Sequence, residues 1–218
     1  MVRHAGQQAN SARAYEAIKS SLVAYELPPG SPIPVRVLAE NLHVSPRPVR
    51  TACYQLVGEG WAIDVGHYGF LAWNPDDNAL LGLYEVSEQV LMSAIDVASM
   101  ARSATLRSPG PVQKVHEDLW RQSLVDYDLA TRTGDLFSAI VEVSGNAMAK
   151  NLMDECNARL HFLRLMESLH IDDANDELMA LCELALVARH DALKRAVDIY
   201  FRRRYALLPN LVKLVPTR

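Results

Sequence analysis

The chain has 218 residues, half of them hydrophobic, and a formal net charge of −4. That length and apolar share exclude a disordered chain and suffice for one or two cores, while the negative charge excludes a non-specific polycationic coat for nucleic acid. No apolar run reaches the roughly 20 residues of a membrane span, and the opening Met1-Val2-Arg3-His4-Ala5-Gly6-Gln7-Gln8 has no apolar leader core, so a cytoplasmic protein with no membrane partner is expected.

Residues 1–10 read as a polar, disordered tail. From Ser11 a helix is expected, with Tyr15, Ile18 and Leu22 at helical spacing and Pro28-Pro29-Gly30 closing it. A second helix is predicted from about Pro34 to Leu42. Ser45 is placed to cap a third, with Pro46 at its first position, where proline is tolerated. Gly58 and Gly60 end it. Trp61-Ala62-Ile63-Asp64-Val65 and Phe70-Leu71-Ala72-Trp73, split by Gly66-His67-Tyr68-Gly69, predict a β-hairpin. Three helices and a hairpin over 11–74 make a winged helix-turn-helix.

Residues 75–79, within Asn74-Pro75-Asp76-Asp77-Asn78 and beyond, carry linker chemistry. The remainder, 80–218, shows helical periodicity only. Leu80, Leu83, Tyr84, Val90, Leu91, Ile95 and Ala98 give a first long helix its apolar face. Ser108-Pro109-Gly110-Pro111 is a break. Further helices are expected over 112–131 (with Trp120 and Leu124), around Leu136, Phe137, Ile140 and Val141, over 148–169, 176–189 and 191–208, with Pro209 as terminator. The predicted fold is therefore mainly α: a winged helix-turn-helix followed by an all-α six-helix bundle.

Two helices joined by a short turn, the second bearing arginines in its first turns, suit a DNA major groove. Arginine offers a bidentate fork to guanine or pairs with phosphate. Arg47 and Arg50 lie three apart and share a helix face. Cys53, Cys156 and Cys182 are widely spaced and form no CxxC metal knuckle, which points to reduced thiols. No nucleophile–base pair, phosphate loop or metal spacing supports an enzyme. His116-Glu117-Asp118 are consecutive on a helix and do not converge. His161, His170 and His190 read as histidines of the core edge or surface.

The order of these pieces resembles the GntR family of bacterial transcriptional regulators, in the FadR/VanR-like branch with a helical "FCD" effector domain. Leu27-Pro28-Pro29-Gly30-Ser31-Pro32-Ile33 is similar to the family's "L-x-PG-x-x-L" turn. Leu38-Ala39-Glu40 and Val44-Ser45 match its "LA" and "VS", Pro48-Val49-Arg50 its "PVRxAL" core, and Gly60-Trp61 the pair before the hairpin. Phe137 with Val143-Ser144-Gly145-Asn146 resembles the branch's "FHxxLxxxSGN". Pro46 stands where the family often has arginine, and Thr51 where it has glutamate.

The resemblance implies a cytoplasmic homodimer binding a palindromic DNA operator, most often as a metabolite-responsive repressor. It places Arg36 against DNA from the second helix, Ser45, Arg47, Pro48 and Arg50 in the DNA-facing stretch, and Gly66, His67 and Tyr68 at the wing tip. It also implies a divalent metal held by one aspartate and three histidines. Here the "FH" histidine is Ser138 and the aspartate position is Gly134, with Asp135 displaced by one residue and so turned by about 100°. Arg202-Arg203-Arg204 occupy the place of the last histidine and read as a solvated helix face. The expectation is that there is no metal cofactor. Ser138, Asn146, Arg159, His161 and Arg164 are the candidate effector-binding residues, with Arg159 or Arg164 able to pair with an organic acid. The alternative is a ligand-independent DNA-binding or interaction protein whose helical domain serves only for dimerisation.

Overall fold

The computed structural model describes residues 2–100, 110–121, 129–167 and 169–211. In chain order it has α1 (Val2–Val23), α2 (Val35–Asn41), α3 (Pro46–Gly58), β1 (Ala62–Asp64), β2 (Phe70–Ala72), α4 (Asp77–Met100), α5 (Gly110–Arg121), α6 (Leu129–Val143), α7 (Ala147–Glu167), α8 (Ala174–Leu186) and α9 (His190–Leu211). The chain divides into two compact units between Asp76 and Asp77. The first is a winged helix-turn-helix and the second is built of helices α4 to α9.

In the first unit α1 packs on α3. Ala14, Ile18 and Leu22, one turn apart, meet the buried face of α3 formed by Val49, Ala52, Cys53 and Leu56. The polar start of the chain, expected as a disordered tail over 1–10, is helical from Val2. Its alanines and glutamines are good helix formers and simply extend the turn that Ser11 was expected to begin.

Helix α2 stops in a Schellman turn. The Val44 amide donates to the Ala39 carbonyl at 2.9 Å and the His43 amide to Glu40 at 3.1 Å. His43 holds the left-handed position at φ 52, where glycine is usual. Ser45 then enters α3 in an extended conformation with Pro46 at the first helical position, but its side chain makes no capping bond.

β1 and β2 pair antiparallel, Ala62 opposite Ala72 and Asp64 opposite Phe70. A third segment, not foreseen as a strand, joins β2 on its other side. Ala72 donates to Ser31 at 2.8 Å and Ile33 to Phe70 at 2.8 Å, with Pro32 opposite Leu71. Proline has no amide to offer a ladder and sits at this edge without loss.

In the second unit α4 begins at Asp77, so the linker expected over 75–79 is shorter and its end is helical. The helix expected over 112–131 is two elements: α5 ends at Arg121, and Leu129–Thr131 open α6. Leu124, Ser108 and Pro109 lie outside the described residues, while Gly110 and Pro111 start α5. Pro209 lies inside α9 rather than ending it. In the last turn a proline removes a single ladder bond, and the buried Leu208 and Leu211 hold that turn in place. The core centres on Tyr84, Phe137, Tyr200 and Phe201. The Phe137 and Tyr200 rings meet edge-on, 5.1 Å between centroids.

Candidate nucleic-acid interface and buried polar cluster

Helix α3 has two sharply different faces. Pro48, Val49, Ala52, Cys53 and Leu56 are buried, whereas Arg47, Arg50, Thr51, Tyr54 and Gln55 are exposed. Burial against α1 thus fixes which side chains face outward. Pro48, expected in the DNA-facing set, is turned inward: its ring packs in the head, and its effect is to stiffen the first turn. Two prolines in that turn also remove two of the amides that a helix N-terminus would otherwise present to a phosphate. Arg36 at the start of α2 is exposed, as are Ser45, Gly66 and His67.

Residues 10–71 carry five basic and five acidic side chains, which cancel. Attraction for a polyanion therefore depends on placement, and three of the five cations, Arg36, Arg47 and Arg50, are exposed on the helix-turn-helix. The acid nearest the far end of α3, Glu59, is engaged by its own unit: Tyr15 donates to it at 2.6 Å, Gln55 at 3.1 Å and Lys19 at 3.4 Å.

The hairpin tip is a short 3-10 turn over Gly66–Tyr68. The Gly66 amide donates to Asp64 Oδ1 at 2.9 Å, and Gly66 and Gly69 have φ of 64° and 100°. A side chain at either position would be strained, so the glycines are needed for the tight tip. Tyr68 is 81% exposed and its ring lies 3.9 Å from that of His67. Two residues missed by sequence reasoning tie the parts together. His43 makes the turn before α3, and the half-exposed Tyr54 packs edge-on against Phe70 of β2 at 4.9 Å, linking α3 to the wing. The only sequence signal for Tyr54 is its spacing, seven residues after Arg47 on the same face.

In the second unit the candidate effector residues separate. Asn146 lies in the exposed turn before α7, where its Oδ1 accepts the Ala149 amide at 3.1 Å, so it is a helix cap rather than part of a core cluster. Arg159 pairs with Glu155 one turn away at 2.8 Å. His161 is half-buried on α7. Ser138 and Arg164 are brought together by Asn157, which sequence reasoning missed. Asn157 Nδ2 donates to Ser138 Oγ at 2.9 Å and to the Gly134 carbonyl at 2.9 Å, while its Oδ1 accepts Arg164 Nη1 at 2.9 Å. Ser138 in turn donates to Asp154 at 2.5 Å.

The run Arg202-Arg203-Arg204 is not one solvated face. Arg202 is exposed and pairs with Asp198. Arg203 bridges Asp173 and Glu177, and Arg204 is buried against Glu167 and Glu177. Consecutive helical residues point about 100° apart, so adjacency in sequence separates them in space. Among the described residues no group of three or more histidine, cysteine, aspartate or glutamate side chains stands together to hold a metal ion. The donor chemistry explains why. Gly134 has no side chain, Asp135 is exposed, Ser138 is committed to Asn157 and Asp154, and a guanidinium fills the space beside Gly134.

Residues 10–71 match the family described as bacterial regulatory proteins, gntR family. No curated protein matches the chain. Among solved structures the fold is similar to a GntR transcriptional regulator from Rhodococcus sp. RHA1, with TM-score 0.75 and 13% identity over 93% of this chain and 98% of that one. It is also similar to McbR/YncC of E. coli, with TM-score 0.67 and 14% identity over 92% and 97% of the two chains. A third is Lar, described as controlling the agr system of Listeria monocytogenes, with TM-score 0.59 and 18% identity over 94% and 97%. At these identities the likeness is one of fold, across both units.

Proposed function

We propose that this chain is a DNA-binding transcriptional regulator like those of the gntR family, whose model its residues 10–71 match, and that it acts in the cytoplasm as a homodimeric, metabolite-responsive repressor of a palindromic operator. The observation that carries the reading is the outward face of α3. Arg47 and Arg50 stand free of their own unit's core on a helix that burial holds in one orientation. In this reading Arg50 and Arg47 enter the major groove, and Arg36 and Ser45 meet the backbone beside it. Gly66, His67 and Tyr68 form a wing tip whose paired, mutually tilted rings lie along the sugar–phosphate edge or in the minor groove.

A palindrome demands a two-fold pair of heads. A second copy is the proposed occupant of the groove between α4 and the start of α7. Val90, Ser93, Met148 and Leu152 line that groove. The stripe continues along α4 to the exposed Val97 and Met100 at alternating three- and four-residue spacing, the pattern of a helix–helix seam. A ligand in the helical unit would then change the geometry of the two heads with a coupling of about 1–3 kcal/mol.

Among the described residues no helix is long and apolar enough to cross a membrane. One observation favours a second reading. The residues that would hold the branch's metal are replaced, which is what a helical unit kept only for dimerisation would show. Selection of genomic DNA fragments by the purified chain tests the main reading. A palindromic site is expected, and recovery of nothing above background at low salt overturns it. Loss of operator binding on adding a metabolite separates the responsive regulator from the ligand-independent one.

A further inference from the structure

The helical unit contains a buried cation that its neighbours leave half-used. Arg164 is 2% exposed. Its Nη1 donates to Asn157 Oδ1 at 2.9 Å, and its guanidinium lies 5.1 Å from the centre of the Phe137 ring. These contacts fix its plane. Its Nε and Nη2 are buried and have no partner. Those two nitrogens form the side-on edge of a guanidinium, whose N–H bonds run parallel and fit the two oxygens of one carboxylate. Arginine does not shed its proton, so burial cannot be relieved by neutralisation.

The surrounding charge does not balance it. Among the described residues three arginines are buried, Arg132, Arg164 and Arg204, and the one buried acid, Glu167, is held by Tyr84 and Arg204. Glu177 is also taken by Arg204 and Arg203. A second buried donor stands nearby. The Tyr200 hydroxyl has no partner, and its ring packs on the same Phe137.

Position completes the argument. A Cβ on Gly134 would stand 3.6 Å from Arg164 Nη1 and 3.5 Å from the Asn157 side chain. Gly134 and Ser138 are where the resemblance expects an aspartate and a histidine on a divalent cation. A fixed guanidinium already lies on that side of α6, and like charge beside it disfavours a metal ion.

We propose that the guanidinium of Arg164 stands in for a metal and that its Nε/Nη2 edge binds a small monocarboxylate directly, with Tyr200 as a second donor. The proposal rests on reading the helical unit as ligand-binding. A single negative charge suits the unbalanced cation, and the Phe137 and Tyr200 rings favour an apolar body on the anion.

The test is thermal unfolding of the full chain with benzoate, hexanoate or inorganic phosphate, each with and without EDTA. Benzoate or hexanoate is expected to raise Tm by about 5–10 °C at a concentration of about 100 Kd, unchanged by EDTA. Arg164→Met, which replaces an uncompensated charge by an apolar chain of similar length, is expected to fold and to lose the response. Tyr200→Phe removes a hydroxyl with no partner, so Tm of the free protein is expected to hold while carboxylate affinity falls about tenfold or more. If Arg164→Met does not fold, Tyr200→Phe decides alone. No carboxylate response, stabilisation by phosphate only, loss of the response with EDTA, or a full response in either variant overturns the proposal. Operator binding by the same samples keeps the two readings apart. Carboxylate stabilisation without any change in DNA affinity leaves the site standing and removes metabolite control, whereas DNA binding with no carboxylate response does the reverse.

Discussion

Arg204 donates through Nε to Glu167 at 3.0 Å, with both side chains 3% exposed, and the pair ties α9 to α7. The second carboxylate oxygen of Glu167 accepts the Tyr84 hydroxyl, and Arg204 also reaches Glu177 and lies 3.5 Å from the centre of the Tyr200 ring. Four elements therefore share one buried charge cluster. Removing Glu167 leaves the buried Arg204 Nε and Tyr84 hydroxyl without their acceptor, with Glu177 alone still on Arg204 Nη1. Glu167→Ala is expected to destabilise the helical unit by about 3–5 kcal/mol, read by urea unfolding. Replacing both partners by apolar residues, Glu167→Leu with Arg204→Met, should recover most of that loss. A Glu167→Ala variant as stable as the parent would show that the pair contributes nothing.

Arg50 is exposed on α3 and is not one of the helix's buried residues. Arg50→Ala should leave the unfolding temperature of the head unchanged and weaken operator binding by about 1–3 kcal/mol, or roughly 5-fold to 150-fold. Fluorescence anisotropy against the selected operator and a scrambled duplex measures both effects. A base contact lowers the ratio between the two duplexes. A phosphate contact weakens both and reduces the salt slope by about one.

His43 occupies φ 52 in the turn that aims α3. A left-handed residue with a Cβ carries about 1–2 kcal/mol of strain, which glycine does not. His43→Gly is therefore expected to raise the stability of the head by up to about 1 kcal/mol, after allowance for glycine's greater freedom in the unfolded chain. The expected readout is a higher Tm with operator affinity unchanged. A lower Tm would mean that the imidazole makes a stabilising contact of its own.

Glu59 supplies a pH dependence. Burial raises its pKa, but hydrogen bonds from Tyr15 and Gln55 and the charge and hydrogen bond of Lys19 outweigh it and leave the value lowered. A carboxylate with a lowered folded pKa stabilises above the unfolded value of about 4.3 and loses that contribution as pH falls through the folded value. The head should therefore lose stability on acidification through that window, and Glu59→Gln should flatten that limb of the curve. The mutant and parent having parallel acid limbs would exclude Glu59 as the source.

Much of the head could be read along the chain because its rules are local. Pro46 after Ser45 favours the first turn of a helix, glycines at 66 and 69 permit a tight tip, and apolar residues three and four apart set the faces of α1 and α3. Pro48 shows where that reading stops. It lies between Arg47 and Val49, and only the packing of α1 decides that 48 turns inward and 47 outward. Asn157 was silent for a similar reason. A lone asparagine on an amphipathic helix means nothing until Gly134, Ser138 and Arg164 are seen around it.

The sequence by itself determined the helical class, the winged head and the arginines available to a DNA groove, since periodicity, turn chemistry and charge are properties of neighbouring residues. Only the tertiary structure decided the fate of Arg202, Arg203 and Arg204. Three adjacent arginines on α9 diverge by about 100° each. Which one is buried depends on acids at Glu167 and Glu177, on two other helices, brought near by packing. The same holds for Arg164. Its charge is written in the sequence, but its unpaired edge exists only because Phe137 and Asn157 hold it in a core where, among the described residues, the one buried acid is taken by Arg204 and Tyr84.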